Sequence, residues 1–440
     1  MNWWGDKEMV HFLIYSLFLI PLLGGALSLK WKFSSVISSL VNVVVATLIF
    51  FYPPTVGTFF VDDVSKVFVI MNASITFIVM LYSTGYIKDG IVREGWYYFL
   101  FMVYSDAIYG VVTLNNLGLI WAALEASTAL TVILVAYEKD NVTMEATWRY
   151  LVIVSMGVSI AFVSIILFYY DLHTLTLTSM IGRGEVSPTI VAASLLGLLG
   201  FGTKAGIFPG YTWLPDAHTE APATVSSSFS AVLVPSAAVI VYRIWEIAPF
   251  MENYFLALSG FSVLTASLVM ARQRYFKRLF AYSTLENVNI GLIGLIVGQP
   301  LGALILFFTH AFGKTAAFLS SGVYMERLGT KRIDDVERVG LSSPTSTSLF
   351  LSSLAVTGTP PFGTFVGELL IFTTLFHVSI PLLAVLLISA GIAFVSVNYH
   401  VTRMVKSKEE KAYSGLLGYI ALASAIVSLL AGVIAIGVLQ

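Results

Sequence analysis

The 440-residue sequence contains no cysteine and few charged residues. Without cysteine, a disulfide framework and any thiolate-bound zinc or iron–sulfur site are excluded. Charged residues make up only 11% of the chain and hydrophobic residues 57%, a balance that excludes an ordinary soluble domain. The net charge of −1 gives no indication of nucleic acid as a partner. The class that remains is an all-α polytopic membrane protein.

Long apolar runs occupy most of the chain. A membrane-spanning helix needs about 20 mostly apolar residues, and by that rule the sequence predicts about fourteen spans. They lie near 10–28, 33–52, 64–84, 95–113, 116–137, 147–170, 188–214, 222–246, 253–271, 279–298, 300–322, 345–377, 379–403 and 413–439. The segment before the first run has no basic n-region, so the first helix is expected to be retained. Because the loops are short, 1–440 is predicted to form a single transmembrane domain.

Basic residues are distributed unevenly between the predicted loops. The odd-numbered loops hold 18 of the 24: Lys30, Lys32, Lys88, Arg93, Lys139, Arg149, Arg272, Arg274, Lys277, Arg278, Arg327, Lys331, Arg332, Arg338, Arg403, Lys406, Lys408 and Lys411. The other side holds four, namely Lys7, Lys66, Arg183 and Arg243, which leaves only Lys204 and Lys314 inside spans. The positive-inside rule therefore predicts cytoplasmic odd loops and both termini outside.

Two of the predicted spans are interrupted. The first is broken at Pro209-Gly210 in IFPGYTWLP, and the second at Pro360-Pro361 in TGTPPFGTF. Paired interruptions in corresponding positions indicate inverted repeats around a central pathway. The alternative is a simple kink, since Pro and Gly are common in transmembrane helices. The predicted repeats and peripheral helices are approximately 95–246, 253–404, 10–84 and 413–439.

Glu125 and Lys204 are charged residues inside apolar runs. A charge at the centre of a membrane helix costs roughly 2.5–3.5 kcal/mol on insertion scales, so it indicates function by default. Glu125 lies in the middle of its span, where it can pair with a cation or serve as a neutral, hydrogen-bonded structural acid. Lys204 precedes the first break, where it can hold a transferable proton or extend its ammonium group towards the membrane surface.

His310, Lys314 and Glu368 extend this polar series. His310 and Lys314 are four residues apart, which places them on one face of a helix and predicts a proton relay. The alternative for His310 is a hydrogen-bonded core histidine. Glu368 follows the second break and is predicted to be the exit acid of the pathway. Alternatively, it is a carboxylate placed at a helix N-terminus, where negative charge is favoured.

Three further residues, Asp106, His218 and His400, are possible accessory sites. Asp106 can instead bond a neighbouring helix, His218 can order the loop after the first break, and His400 can lie near the cytoplasmic end together with Arg403. The sequence has no metal-ligand cluster, phosphate-binding loop or nucleophile–base arrangement. No catalytic residue, metal or cofactor is therefore predicted for this chain.

The run KAGIFPGYTWLPDAHTEAPATVSS resembles the signature of the antiporter-like subunits of respiratory complex I. The same family includes subunits of multiple-resistance-and-pH sodium/proton antiporters and of membrane-bound energy-converting hydrogenases. WAALEAST, KRLFAYSTLENV, THAFGKTAAFL and GTPPFGTFVGE match in the same order, so the resemblance covers roughly Asp62 to His400.

The resemblance implies fourteen helices, two inverted five-helix repeats, and a hydrated polar axis across the middle of the membrane. On that axis Glu125 modulates Lys204, Lys314 relays, and Glu368 terminates the route. The sequence departs from the family at Pro235, where a lysine is often found eight residues before the arginine. Water or His310 would have to bridge the missing site.

The leading hypothesis is a proton- or sodium-translocating subunit of a multi-subunit complex in a prokaryotic cell membrane. This chain would carry no redox chemistry, and electron transfer in a peripheral redox arm would drive it. The other expected partners are antiporter-like and small membrane subunits. Two alternatives stay open: a subunit of a cation/proton antiporter without a redox partner, and a degenerate structural subunit that does not conduct.

Overall fold

The structure, a computed structural model, describes residues 3–137, 140–341, 344–411 and 415–439. Its helices are α1 (Trp3–Ser28), α2 (Phe33–Phe50), α3 (Asp63–Tyr86), α4 (Glu94–Thr113), α5 (Leu117–Val135), α6 (Asn141–Leu172), α7 (Leu177–Met180), α8 (Pro188–Ala205), α9 (Trp213–Glu220), α10 (Ala223–Ser228), α11 (Val234–Ile247), α12 (Glu252–Met270), α13 (Phe276–Ile296), α14 (Pro300–Leu328), α15 (Ile333–Arg338), α16 (Thr345–Ala355), α17 (Gly363–Val378), α18 (Ile380–Val405) and α19 (Leu416–Leu439). A π-helical segment, Phe229–Leu233, joins α10 to α11, and short 3-10 turns occupy Gly210–Thr212 and Pro249–Met251.

In the part of the chain that the structure describes, the strands form two short pairs. They are β1 (Thr55–Val56) antiparallel to β2 (Phe60–Val61), and β3 (Val339–Leu341) parallel to β4 (Glu409–Lys411). Among the described residues, twelve helical segments are long and apolar enough to cross a membrane. Helix α4 and the pair α16 and α17 correspond to the other two predicted spans. The predicted all-α polytopic membrane fold is confirmed, and the inverted repeats stay a prediction.

The helices form two compact units. The first comprises Met1–Gly202 and Val239–Met251, and the second comprises Thr203–Ala238 and Glu252–Gln440. In the second unit, α13 is enclosed along its whole apolar length. Helices α18 and α19 instead leave many large apolar side chains exposed. Exposed apolar side chains on spanning helices are compatible with contact with lipid.

An ion cluster in the first unit is formed around Arg243. Its guanidinium pairs with Asp62 at 2.7 Å and Glu246 at 2.8 Å, and it lies 4.8 Å from the centre of the Phe60 ring. Asp62 also caps α3 by accepting a hydrogen bond from the Ser65 amide. Burial by itself raises the pKa of Asp62, but Arg243 outweighs it and holds that pKa below the ordinary value. Asp62 therefore stays ionised at neutral pH.

The expectation that only Lys204 and Lys314 are basic residues inside spans is wrong. Lys66, Arg243 and Lys277 also belong to spanning helices and are buried. Lys66 and Arg243 pair with carboxylates, and Lys277 donates to a peptide oxygen. These contacts offset the cost of burying a cation. The membrane orientation drawn from the loop charges stays a prediction. Lys139 and the side chain of Lys7, both counted in it, lie outside the described residues.

Helical structure is interrupted at both predicted positions. Helix α8 ends one residue before Gly206, whose φ of +81° lies in the region that favours glycine. Helix α16 ends at Ala355, and Gly358, with φ of +57°, turns the chain before α17 begins. The peptide bonds Phe208-Pro209 and Pro360-Pro361 within these interruptions are both cis.

Candidate functional site

Lys204 lies fully buried in the last turn of α8, directly before the first break. The break frees peptide groups that would otherwise bond within the helix. Side chains from other helices of the second unit bind two of them. The Phe208 amide donates to Ser262 Oγ at 2.8 Å, and Asn289 Nδ2 donates to the Gly206 carbonyl oxygen at 3.1 Å. The chain after Lys204 is thus held in place without continuous helix.

The second break is bound in the same way. Asn287 Nδ2 donates to the carbonyl oxygen of Val356, just beyond α16, at 3.0 Å, and to Glu286 Oε2 at 2.9 Å. The Thr364 hydroxyl donates to the Ala355 carbonyl oxygen across the interruption. Carbonyl oxygens at the end of a helix lack their usual partners, and these side chains supply them.

Helix α13 therefore connects both interruptions. Asn287 and Asn289 are two residues apart, so they project from roughly opposite faces of the helix, Asn287 towards α16 and Asn289 towards the end of α8. Both side chains are fully buried. A single enclosed helix thus holds the two broken segments through one amide each.

His310 and Lys314 lie fully buried in the middle of α14. Lys314 Nζ donates to the Phe280 carbonyl oxygen at 2.8 Å and lies 5.8 Å from the centre of the Phe280 ring. The His310 ring faces the backbone of Ser230, in the π-helical segment. Within the described chain, neither ring nitrogen makes a well-formed hydrogen bond. The imidazole is thus available to exchange a proton with a neighbouring group.

Glu286, on α13, is a buried acid that the sequence analysis missed. It is 2% exposed, and it lies within electrostatic range of both Lys314 and Glu368. Glu286 lies within the predicted span 279–298, and a charge inside a span is costly. The sequence therefore indicates Glu286 as a functional residue for the same reason as Glu125. The acid provides the electrostatic connection between α14 and α17.

Glu368 lies on α17, and 8% of it is exposed. Its carboxylate packs on Gly358, at which an added Cβ would lie 2.1 Å from Oε2. The carboxylate is therefore in direct contact with the second break. The prediction that Glu368 is the exit acid stays a prediction.

His218 lies on α9 rather than in a loop, and it is fully buried. Its ring stacks on Phe318 with centroids 4.9 Å apart. Neither ring nitrogen has a hydrogen-bond partner in the described part of the chain. Lys277, also buried, donates to the Ala221 carbonyl oxygen, and Lys277 and Lys314 both lie within electrostatic range of the His218 ring.

Glu125 belongs to the first unit, at the middle of α5. It is half-buried, and no described residue donates a hydrogen bond to its enclosed Oε2 atom. The carboxylate lies within electrostatic range of Tyr150. Its pairing with Lys204 would join residues of different units and stays a prediction.

His400 lies buried on α18, one turn before Arg403. Arg403 donates to Asp334 at 3.0 Å and to Glu337 at 3.2 Å. The hydrogen bonds from Arg403 hold the pKa of Glu337 below its ordinary value. Arg403 thus extends towards a surface ion cluster, as a snorkelling side chain does.

Of the five predicted pathway residues, the second unit therefore holds four. They are Lys204, His310, Lys314 and Glu368, and Glu286 is added by the structure. With both lysines protonated, both glutamates ionised and the histidine neutral, the formal charges of this pathway cluster sum to zero. Passing a proton from one member of such a set to another leaves its total charge unchanged.

Known proteins resemble this chain in sequence and in fold. The family described as "NADH:quinone oxidoreductase/Mrp antiporter, TM" matches residues 115–393. The hydrogenase-4 component F homolog of Methylacidiphilum infernorum (isolate V4) is 30% identical over 368 residues, covering 77% of this chain and 76% of that protein. One Na(+)/H(+) antiporter subunit of Alkalihalophilus pseudofirmus is 28% identical over 356 residues, covering 73% of this chain and 44% of that protein.

A solved structure, that of the membrane-bound sulfane sulfur reductase, an archaeal respiratory membrane complex, contains a chain with the same fold. The TM-score is 0.86 at 22% identity, covering 97% of this chain and 94% of that chain. The family match spans more than half of the sequence and includes Glu125, Lys204 and the residues of α13, α14 and α17. This chain belongs to the NADH:quinone oxidoreductase/Mrp antiporter family of transmembrane proteins, as the sequence resemblance predicted.

Proposed function

We propose that this chain moves protons across the membrane through the pathway cluster, as a subunit without redox chemistry of its own. The observation that carries the proposal is the burial of Lys204, Glu286, His310, Lys314 and Glu368 among spanning helices, beside two helix breaks. Such residues are expensive in a membrane, and in ion pumps they form relays.

The order of the groups supports a stepwise transfer. Lys204 lies at the first break, His310 and Lys314 share one helix, and Glu286 interacts electrostatically with Lys314 and with Glu368 at the second break. Moving a proton onto one member changes the field at the next, because the interior screens charge poorly.

Pro235 occupies the position at which the family often has a lysine, and Glu286 is a candidate to replace that ionisable group. Pro235 is buried in the first turn of α11 and cannot carry a proton. Glu286 supplies a different ionisable group within electrostatic range of Lys314. Without that lysine, Lys314, Glu286 and Glu368 still form a series through α13.

The driving reaction would be electron transfer in a peripheral arm. This part of the proposal rests on the similarity to a hydrogenase-4 component F homolog. The partners would be other antiporter-like subunits, small membrane subunits and the redox arm, in a prokaryotic cell membrane. The loop charges support cytoplasmic odd loops and external termini.

A second candidate function is cation/proton antiport without a redox partner. It is favoured by the 28% identity to one chain of a Na(+)/H(+) antiporter. The two functions differ in their energy source. Proton movement that requires an electron donor supports the first, and proton movement driven by an imposed sodium gradient alone supports the second.

The test is proton uptake by the intact complex, purified in mild detergent through a tag on this chain and reconstituted in vesicles. The subunits and redox centres that co-purify identify the electron donor to use. We expect Lys204→Ala and Lys314→Ala to abolish uptake per electron while the subunit composition is unchanged. Lys406→Ala, an exposed lysine just beyond α18, is the matched control. Normal uptake in both buried-lysine variants would refute the proposal.

A further inference from the structure

A second group of polar side chains lies in the first unit, away from the residues of the pathway cluster. It consists of residues at the middles of three consecutive spanning helices, α2, α3 and α4. Its members are Asn42, Asn72, Thr76, Ser105, Asp106 and Tyr109. We propose that this mid-helix cluster is a binding site for a sodium ion.

Hydrogen bonds connect α3 and α4 within the cluster. Asn72 Nδ2 donates to Ser105 Oγ at 3.1 Å and to the Ser105 carbonyl oxygen at 3.0 Å. The Thr76 and Ser105 hydroxyls share a hydrogen bond of 3.1 Å, in which either can be the donor. All three side chains are at most 3% exposed. Because hydroxyl hydrogens rotate, both oxygens can turn a lone pair towards a cation.

Helix α2 joins the cluster through Asn42. Its Nδ2 atom donates to the Leu17 carbonyl oxygen at 3.0 Å and to the Tyr109 hydroxyl at 3.4 Å. Asn42 is 1% exposed and Tyr109 is fully buried. Asp106, one turn before Tyr109 on α4, lies within electrostatic range of the Tyr109 hydroxyl. The cluster is therefore continuous from α2 through α4 to α3.

Two oxygen atoms in the cluster lack donors. Within the described residues, nothing donates a hydrogen bond to Asn42 Oδ1 or to Asp106 Oδ1, and both atoms are enclosed. No ion pair in that part of the chain includes Asp106. A buried acceptor without a partner costs about 1–3 kcal/mol, and Asp106, which is half-buried, adds the cost of partly desolvating a carboxylate. The cluster therefore has an excess of acceptors, which a bound cation or a proton on Asp106 would relieve.

A small hard cation meets that need. Such ions prefer carboxylate, amide and hydroxyl oxygens, which are the groups collected here. A sodium ion would neutralise Asp106 and at the same time supply a partner to Asn42 Oδ1 and the hydroxyls. The site shares no residue with the pathway cluster, so it stands independently of the proposed function.

The experiment is thermal unfolding of the full chain in lipid nanodiscs, followed by its tryptophan fluorescence. The sodium chloride concentration is increased while potassium chloride or choline chloride is decreased, so that ionic strength and pH stay constant. Matching series with potassium chloride in place of sodium chloride serve as the comparison. We expect Tm to rise with sodium alone and to keep rising with the logarithm of its concentration above Kd, since a ligand that binds only the folded state stabilises it further at every increase in concentration. Radioactive sodium binding under the same conditions should give one saturable site.

Asp106→Asn should abolish both the Tm rise and the saturable binding, while Glu368→Gln should retain them. Should Asp106→Asn fail to fold, Thr76→Val removes one oxygen ligand and should raise the half-saturating sodium concentration at least about tenfold, the effect of losing 1.4 kcal/mol. A Tm rise shared equally by potassium or choline would overturn the proposal, as would sodium binding that persists in Asp106→Asn. Stability that changes with pH but not with sodium would also overturn it, and would identify a proton as the only occupant.

Discussion

The hydrogen bond between Asn289 and Gly206 gives the sharpest test of how the first break is held. Asn289→Leu keeps the number and branching of the side-chain heavy atoms but leaves the Gly206 carbonyl oxygen without its 3.1 Å partner. A buried acceptor left unpaired costs about 1–3 kcal/mol, and measured interhelical hydrogen bonds in membranes fall at the lower end, about 0.6–2 kcal/mol. We therefore expect the break to lose about 1–2 kcal/mol of local stability.

The absence of cysteine makes this loss measurable. A single Ile207→Cys substitution places a thiol next to Gly206, at a side chain that is 1% exposed. The thiol reacts with a water-soluble reagent only when the segment opens. A loss of 1–2 kcal/mol raises the open population about 5–30-fold, and the labelling rate should rise by the same factor.

The control is Asn253→Leu in the same Ile207→Cys background. Asn253 is exposed near the start of α12, so its replacement should leave the labelling rate unchanged. Equal labelling rates in the Asn289→Leu and control proteins would refute the reasoning. They would mean that the Gly206 carbonyl oxygen finds another partner at no cost.

Two further predictions concern the buried charges. Glu286→Gln keeps the side-chain shape and removes its charge. In the vesicle assay we therefore expect proton uptake per electron to fall about 10²-fold while assembly stays intact. Normal uptake would remove Glu286 from the pathway. Arg243→Gln leaves Asp62 and Glu246 without their cation and should lower the unfolding free energy by about 2 kcal/mol at pH 7. Because the folded-state pKa of Asp62 is lowered, its pairing stabilises the protein above pH 3.8 and is lost as the pH falls further. The difference between native and variant in nanodisc unfolding should therefore narrow below about pH 4, and a difference that does not change with pH would contradict the assignment.

The pathway residues illustrate what a sequence can reveal about a membrane site. Lys204 and Lys314 stand out because a charge within an apolar run is rare and expensive. The breaks at Pro209-Gly210 and Pro360-Pro361 follow from local chemistry, since proline removes a hydrogen-bond donor and glycine tolerates positive φ. Glu286 is also an ionisable residue inside a predicted span, so the sequence indicated it by the same criterion as Lys204 and Lys314.

Lys277 marks a different limit. The predicted span 279–298 leaves Lys277 in a cytoplasmic loop with Arg274 and Arg278. In the structure it begins α13 and reaches the carbonyl oxygen of Ala221, 56 residues earlier in the chain. Local sequence could not show that a partner from so far away would offset the burial of its ammonium group.

The sequence by itself determined the class of this protein, its spans, its two breaks and most of its buried charges, because each depends on the polarity or backbone chemistry of a short stretch. Only the tertiary structure decided what those groups meet. Asn289 binds a carbonyl oxygen 83 residues away, Asn287 binds one 69 residues away, and no described residue donates to the enclosed Oδ1 atoms of Asn42 and Asp106. Partners of buried polar groups are set by helix packing, which brings distant residues together and excludes water, and no local pattern encodes that choice.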